Sequence, residues 1–225
     1  RELLFQNPKC PHRSLLLKQE LKKGKDRSFI RNWRPISLLN FDYKLLSKVV
    51  SRRFQNFLPL LIHKNQTGFM KGRFIGDSIR VLQDVMSYTM QKKLSGLLLF
   101  IDFEKAFDTI EWEFIWKALK KFNFGDYLIK LVQILYTNPE SCVMNNGFSS
   151  RYFNLNRGVR QGDPLSPYIF ILAVELLAIN IREQHSINRF KTGENEIKLT
   201  LYADDMTLML QDKYSAKNAL DIFKM

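Results

Sequence analysis

Two neighbouring aspartates, Asp204 and Asp205, are the residues of this chain whose types and spacing best suit metal chemistry. They follow Tyr202 and Ala203 and lie between two apolar segments, 197–201 and 206–210, whose alternation predicts two strands joined by a tight turn. Adjacent carboxylates on a turn repel each other, and a divalent cation between them removes that penalty. The alternative interpretation is a pair of aspartates that only caps a turn.

A third acid, Asp102, follows a continuous apolar segment at 97–101 that predicts a strand buried on both faces. An acid at the end of a buried strand, together with two acids on a hairpin, provides the ligands of a two-metal site. The ions of such a site lie about 3.5–4 Å apart. Mg²⁺ prefers carboxylate oxygens together with substrate phosphates. Three unrelated surface acids would give the same pattern, so both interpretations stay open at this point.

The segment 157–167 is a loop by its glycine and proline content, and it precedes a helix predicted over 167–184. Its two glycines allow the backbone to approach a ligand closely. Gln161 offers a donor and an acceptor, and Arg157 and Arg160 suit phosphate. Taken alone, the segment also fits an ordinary helix entry.

Together, the segments 100–108, 157–167 and 202–205 resemble the successive polymerase motifs of reverse transcriptases of the LINE type, from non-LTR retrotransposons. Further matching segments are 22–26, 32–39 and 66–73, so the resemblance covers about residues 18–212. It implies an α+β right-hand polymerase fold, with a palm of antiparallel strands, helices behind it (a ferredoxin-like core), fingers, and no thumb. Residues 1–225 would be a reverse transcriptase domain fragment, with about 18–96 mostly fingers, 97–225 mostly palm, and a helical insertion near 111–137.

The resemblance implies an RNA-directed DNA polymerase that transfers dNTPs to a primer 3′-OH with two Mg²⁺ ions, for which Mn²⁺ can substitute. The expected partners are an RNA template, a DNA primer and dNTPs, while the oligomeric state is left open. One alternative is an inactive retroelement relic that only binds nucleic acid. Another is a related polymerase, such as an intron-encoded maturase or an RNA-directed RNA polymerase.

The resemblance also implies roles for individual residues. The catalytic metal ligands would be Asp102, Asp204 and Asp205, with the backbone carbonyl of Phe103 as a further ligand. Phe107 matches an aromatic gate that collides with a ribose 2′-OH and so favours dNTPs. The nucleotide pocket would also include Lys23, Arg34, Gln161 and Gly162. Contacts with nucleic acid are expected from Gln66, Arg73, Tyr202 and Ala203.

Composition agrees with a nucleic-acid partner. The 225 residues carry a formal net charge of +13, and a globular chain this basic usually binds a polyanion. The only two cysteines, Cys10 and Cys142, exclude a disulfide framework and predict a reducing compartment, which means an intracellular location in the nucleus, the cytoplasm or both. No segment predicts a membrane span, so no membrane partner is expected.

The remaining elements are predicted from periodicity. Asp42–Leu58 is an amphipathic helix whose expected core stripe consists of Leu45, Leu46, Val49, Val50, Phe54, Phe57 and Leu58. Its basic side, with Lys44, Lys48 and Arg52, is either solvated or in contact with the template backbone. Extended structure is expected over 18–40. Further helices are predicted over 77–93 with Asp77 as the cap, from near 111, and over 126–136, with a hairpin around 145–147.

We expect this chain, taken alone, to bind RNA weakly and to polymerise poorly or not at all. In the family, a primer-gripping segment and a helical thumb follow the acidic hairpin, and without them the primer 3′-OH would not be held in line.

Overall fold

The computed structural model describes residues 13–19, 26, 29, 34–145, 148–192 and 195–223. The chain forms two compact units that interleave along the sequence. The first unit consists of Arg1–Phe54 and Lys105–Ile169, and the second of Gln55–Glu104 and Phe170–Met225. The assignment of 18–96 to fingers and 97–225 to palm stays a prediction.

The strands, in chain order, are β1 (Arg13–Gln19), β2 (Arg34–Leu39), β3 (Leu97–Ile101), β4 (Glu140–Asn145), β5 (Phe148–Ser149), β6 (Phe153–Asn154), β7 (Phe190–Thr192), β8 (Asn195–Ile197), β9 (Leu199–Tyr202) and β10 (Asp205–Leu210). The helices are α1 (Phe41–Leu61), α2 (Ile75–Lys92), α3 (Ala106–Thr109), α4 (Trp112–Lys121), α5 (Asp126–Leu135), α6 (Ser166–Glu183) and α7 (Lys213–Ile222).

The sheet of the first unit has the order β2-β1-β4-β5, and β6 also pairs with β4. β1 is antiparallel to β2 but parallel to β4, a pairing between distant segments that periodicity does not predict. The predicted hairpin is confirmed by the pairing of Met144 with Ser149 in β4 and β5. Its turn residues Asn146 and Gly147 lie outside the described part of the chain.

Helix α1 corrects one expectation about the core. Its buried stripe consists of Tyr43, Ser47, Val50, Ser51, Phe54 and Leu58. Leu45, Leu46, Val49 and Phe57 are exposed, so the predicted core stripe is wrong for these four residues. Apolar side chains occur on more than one side of this helix, and the two small serines that let it pack closely carry no hydrophobic signal. The basic residues Lys44, Lys48 and Arg52 are exposed, as expected.

Helices α4 and α5 form much of the remaining core of the first unit. They contact each other and bury Ile115, Leu119, Ile129, Val132 and Leu135. These helices confirm the prediction of helical structure near 111–137. A stacked pair, Phe54 and Phe124, with ring centroids 5.0 Å apart, adds aromatic packing to the same unit.

The second unit is built on an antiparallel sheet of order β3-β10-β9. Ile101 pairs with Met206 at one end of the β3–β10 ladder, and Leu97 pairs with Leu210 at the other. Residues 206–210 of β10 are all buried, because α2 contacts β9 on this sheet while α7 contacts β3 and β10. The strand prediction at 97–101 and the hairpin prediction at 197–210 are therefore confirmed. The expected burial of 97–101 on both faces is wrong, because Leu97 and Phe100 are exposed and the other three residues are only half-buried.

Helix α2 begins two residues before its predicted start. The Phe74 N–H donates to the Asp77 carboxylate at 3.3 Å, so Asp77 lies inside the first turn and is not the cap itself. Lys93, with φ of 52°, ends the helix in the left-handed conformation. Within the described ranges, none of the helices is both long enough and apolar enough to cross a bilayer.

Candidate active site

The acidic hairpin of the second unit is closed by the pairing of Tyr202 with Asp205, which leaves Ala203 and Asp204 as a two-residue loop. Ala203 has φ of 56°, the left-handed conformation that such hairpin loops normally assign to glycine. The chain therefore holds a strained non-glycine residue directly beside the two predicted metal ligands. Asp205 is exposed and Asp204 is partly buried, whereas Met206 behind them is buried.

Strand register brings the third acid to the same place. Ile101 pairs with Met206, so the next residues of the two antiparallel chains, Asp102 and Asp205, lie across from each other. Their side chains leave the sheet on the other face from those of Ile101 and Met206. Asp102 is exposed as well. The register thus sets Asp102, directly after β3, opposite Asp205 at the start of β10, with Asp204 in the adjoining loop. The role of these three acids as metal ligands stays a prediction.

The donor set suits a magnesium site that is completed by substrate. Among the described residues, no group of three His, Cys, Asp or Glu side chains converges closely enough to hold a metal ion unaided. Mg²⁺ is usually bound through one or two carboxylates, several waters and substrate phosphates, so it needs no such cage. Phe103 follows Asp102 in the chain, and its ring lies 6.0 Å from that of Phe223. The role of its carbonyl as a ligand stays a prediction.

Gln66 and Arg73, predicted to contact nucleic acid, are used inside the second unit. Gln66 is fully buried, and its side-chain amide bonds the backbone of Gly68 and Ala203. Arg73 donates to the carbonyls of Ile62, His63 and Gln66 at 2.6–2.9 Å. The buried Gln66 side chain has no surface to offer a nucleic acid, which corrects that expectation. Tyr202 is exposed, and its predicted contact stays a prediction.

In the first unit, the glycine-containing loop lies against the segment that follows the first acid. The Val159 N–H donates to the Phe107 carbonyl at 2.6 Å, and the Gly158 N–H donates to the Ile110 carbonyl at 2.8 Å. Gly158 has φ of 88°, and a Cβ there would lie 2.8 Å from the Asp108 carbonyl oxygen. Only glycine permits this approach. The backbone of the proposed sugar gate, Phe107, is thereby fixed by the loop.

Gln161 is held from both its side chain and its backbone. Its amide nitrogen lies 3.2 and 3.3 Å from the two carboxylate oxygens of Asp108, and its carbonyl accepts from the Ser37 N–H at 2.9 Å. Burial raises the pKa of Asp108, while the Gln161 hydrogen bond and the nearby Lys105 oppose that rise. Gly162, with φ of 99°, would place a Cβ 3.1 Å from the Ser37 carbonyl oxygen.

A buried polar network that no sequence pattern predicts holds this loop in place. Asp163 accepts hydrogen bonds from the hydroxyls of Tyr43, Ser47 and Ser166 and from the Leu165 N–H. Its carboxylate is almost fully buried, so these bonds replace the water it has lost. The run Gly-Asp-Pro indicates a loop, but no sequence pattern identifies Tyr43 and Ser47, on a distant helix, as partners.

Arg160 corrects another expectation, that the loop arginines bind phosphate. Its guanidinium is buried, donates to the Leu135 carbonyl at 3.1 Å, and lies 4.6 Å from the ring centre of Tyr43 and 5.6 Å from that of Tyr136. Such stacking uses the planar face of arginine inside the core. Arg157 is exposed and lies 3.3 Å from Glu111 in a surface ion pair.

For Arg34 and Lys23, both predicted to line the nucleotide pocket, the structure gives less detail. Arg34 is the first residue of β2, where its backbone pairs with Gln19 of β1. Lys23 lies outside the described residues. The predicted nucleotide-binding residues that the structure describes therefore belong to the first unit, and the predicted metal ligands belong to the second.

Comparison with known proteins gives one family match over most of the chain. Residues 21–225 match the family described as reverse transcriptase (RNA-dependent DNA polymerase). A Xenopus laevis protein, the transposon TX1 uncharacterized 149 kDa protein, is 33% identical over 198 residues, which are 88% of this chain and 15% of that relative.

Other curated relatives also derive from mobile elements. The Pol polyprotein of the Drosophila melanogaster type-2 retrotransposable element R2DM is 26% identical over 191 residues, 85% of this chain and 18% of that protein. The RNA-directed DNA polymerase from mobile element jockey of Drosophila funebris is 24% identical over 193 residues, 84% of this chain and 20% of that protein. The chain thus spans about a fifth or less of these relatives.

Among solved structures, a telomerase from Candida albicans in complex with a fragment of telomeric RNA superposes with a TM-score of 0.64, at 11% identity, over 98% of this chain and 40% of that one. An apo telomerase from Candida tropicalis, truncated of its C-terminal domain, gives 0.60 at 14% identity over 97% and 47% of the two chains. At such low identity the likeness concerns the fold.

Proposed function

Because the chain belongs to the reverse transcriptase family of RNA-dependent DNA polymerases, we propose that it forms the catalytic part of an enzyme that copies RNA into DNA for a non-LTR retrotransposon. The sequence resemblance and the α+β polymerase fold are confirmed by the family match and by the telomerase likeness. The observation that carries the proposal is the register that sets Asp102 opposite Asp205, with Asp204 in the adjoining loop.

The reaction would be in-line attack of a primer 3′-OH on the α-phosphate of a dNTP paired to the template. Asp102, Asp204 and Asp205 would hold the metal ions, which when bound supply charge neutralisation at the transferring phosphoryl group. The residues of the chain itself contribute alignment, because holding reactants in line can account for much of the barrier reduction. No nucleophilic side chain is required.

The first unit would contribute the selection of the nucleotide. The Phe107 carbonyl accepts from the Val159 N–H, which holds the backbone of this residue. Its aromatic side chain would lie beside the sugar and exclude a 2′-OH. Gln161, fixed by Asp108 and by Ser37, would present its own surface to the nucleotide in a constant orientation. Gly162 would let the backbone come close.

An RNA template, a DNA primer and dNTPs are the proposed partners. The formal net charge of +13 supports binding to a polyanion, and the exposed basic residues of α1 offer one place for phosphate contacts. A second function, binding of nucleic acid without synthesis, is favoured by the same charge and needs none of the three acids.

The decisive experiment is Mg²⁺-dependent primer extension on an RNA template by a polypeptide that contains this chain. Asp204→Asn should lower the rate at least about a hundredfold, since a lost metal ligand removes several kcal/mol of charge stabilisation. Asp84→Asn, an exposed acid on α2, is the matched control and should be neutral. Full synthesis by Asp204→Asn would refute the metal assignment, and RNA binding with no synthesis by the unmutated protein would favour the second function.

A further inference from the structure

The loop at 65–68 pairs with β9 of the acidic hairpin through one isolated parallel bridge, which is proposed here to bear on catalysis. The Leu201 N–H donates to the Asn65 carbonyl at 2.9 Å, and the Thr67 N–H donates to the Leu201 carbonyl at 2.9 Å. Gln66 therefore sits in parallel register with Leu201, the second-last residue of β9. This pairing sends the Gln66 side chain toward the hairpin loop that follows.

The Gln66 amide bonds both backbone groups of Ala203. Its oxygen accepts from the Ala203 N–H and from the Gly68 N–H, each at 2.9 Å, and its nitrogen donates to the Ala203 carbonyl at 3.2 Å. Gln66 has no exposed surface. One buried side chain thus satisfies three backbone groups, two of which belong to the residue in the left-handed conformation.

We infer that Gln66 is a positioning residue of the catalytic hairpin, holding Ala203 in its strained conformation so that Asp204 and Asp205 face the substrate side together. This inference rests on the metal role proposed for these aspartates. A non-glycine residue with positive φ persists only where its surroundings determine it, and here the bonds from Gln66 do so. Without them, the loop could relax into other turns that direct Asp204 elsewhere.

The rest of the loop makes Gln66 itself rigid. Arg73 donates to the carbonyls of Gln66 and His63 at 2.7 and 2.6 Å, and burial, the largest influence, lowers the pKa of its guanidinium. Thr67 also bonds the Leu201 carbonyl through its hydroxyl at 3.1 Å. These contacts fix the backbone from which the Gln66 side chain reaches Ala203. The position of the loop therefore determines the position of Ala203 and of the aspartates that follow it.

The first test measures amide hydrogen exchange by NMR in this chain without metal or substrate. Gln66→Met keeps the volume and removes the hydrogen bonds. It should speed exchange of the Ala203 and Gly68 amides together by at least about tenfold, because both have lost one acceptor. The Thr67 amide, bonded to Leu201, should keep its rate. Gln66→Glu retains an acceptor oxygen and should give a smaller change, which also serves if the Met variant fails to fold.

The second test asks whether the aspartates depend on this bond. Gln66→Met should weaken Mn²⁺ binding, followed by electron paramagnetic resonance, and lower kcat for primer extension by about a hundredfold with little change in KM for template. Adding Ala203→Gly should restore part of both losses, since glycine adopts positive φ without strain. Asn65→Ala, which loses a similar bond to the Leu199 carbonyl further from the loop, is the matched control.

Unchanged Ala203 exchange in both Gln66 variants would overturn the inference, as would an equal loss of Mn²⁺ binding in Asn65→Ala. The exchange result does not depend on the metal role. If Asp204→Asn polymerised normally, the metal role proposed for Asp204 would fail, while the link between Gln66 and Ala203 could still be observed.

Discussion

Replacing Gly68 with alanine should displace the catalytic hairpin with little other disturbance. A Cβ at Gly68 would lie 2.2 Å from the Ala203 nitrogen, 2.9 Å from its Cα and 3.0 Å from its Cβ. The first two atoms are backbone, so no side-chain rotation relieves the collision. Ordinary van der Waals contact needs at least 3.4 Å, and the two segments must therefore separate by roughly 1 Å.

Two quantities follow from that separation. Overpacking of this kind costs about 1–3 kcal/mol in the free energy of unfolding. A shift of about 1 Å in catalytic groups costs on the order of a hundredfold in rate, or about 2.7 kcal/mol in the activation barrier. We therefore expect a protein that still folds but extends primers about a hundred times more slowly.

Gly72→Ala is the matched control because Gly72 lies in the same loop, but there an added Cβ has space and only the backbone conformation is unfavourable. Nothing lies within 4 Å of a Cβ at Gly72, but its φ of 79° is unfavourable for alanine. The cost in stability should be about 1–2 kcal/mol, with no displacement of Ala203. The assay pairs urea denaturation with primer extension. Rates for the two variants within about threefold of each other, at similar stability, would refute the argument that backbone contact at Gly68 sets the hairpin position.

Three further predictions test other parts of the molecule. Phe107→Val should raise the incorporation of NTPs relative to dNTPs, measured by competitive primer extension, while Phe114→Val on α4 should not; an unchanged ratio would place the gate elsewhere. Arg182→Ala removes the ion-pair partner of the buried Glu175, whose pKa burial already raises above its usual value. The folded state then binds the Glu175 proton more tightly than the unfolded state does, so stability falls as pH rises from the unfolded to the folded pKa of Glu175. The variant should lose about 3–5 kcal/mol in the free energy of unfolding at neutral pH and less near pH 5. An equal loss at both pH values, measured by urea denaturation, would contradict this. RNA binding should weaken with salt, with a slope in log affinity of about −0.7 for each phosphate contact; a flat response in filter binding would leave the charge of +13 without its proposed role.

Local signals were enough to predict the acidic end of the second unit. The apolar segment before Asp102 and the alternation around Asp204 are short-range patterns, and their strands appear at nearly the predicted bounds. The antiparallel pairing of these strands came from the family resemblance. The register of that pairing, with Ile101 opposite Met206, is not predicted by these patterns, because both faces of Met206–Leu210 are buried.

The missed features depend on long-range partners. Arg160 reads as a phosphate ligand in sequence, because nothing local shows that two tyrosine rings enclose it. Gln66 reads as a surface loop residue, yet its partner Ala203 is far along the chain. Helix α1 was misjudged in part because buried Ser47 has no hydrophobic signal while exposed Leu45 does. In each case a tertiary contact decided the role of the residue.

The register of the sheet has a consequence for how the second unit folds correctly. A slip of one residue between β3 and β10 would exchange the faces of one strand, and several apolar pairs could still form with similar burial. Asp102, however, would then turn toward the apolar side on which Met206 and Leu208 are buried. An unpaired carboxylate in such surroundings is strongly unfavourable. Asp102 therefore destabilises the misaligned sheet even without a bound ion. The same side chain that is proposed to bind metal also favours the correct alignment of β3 and β10.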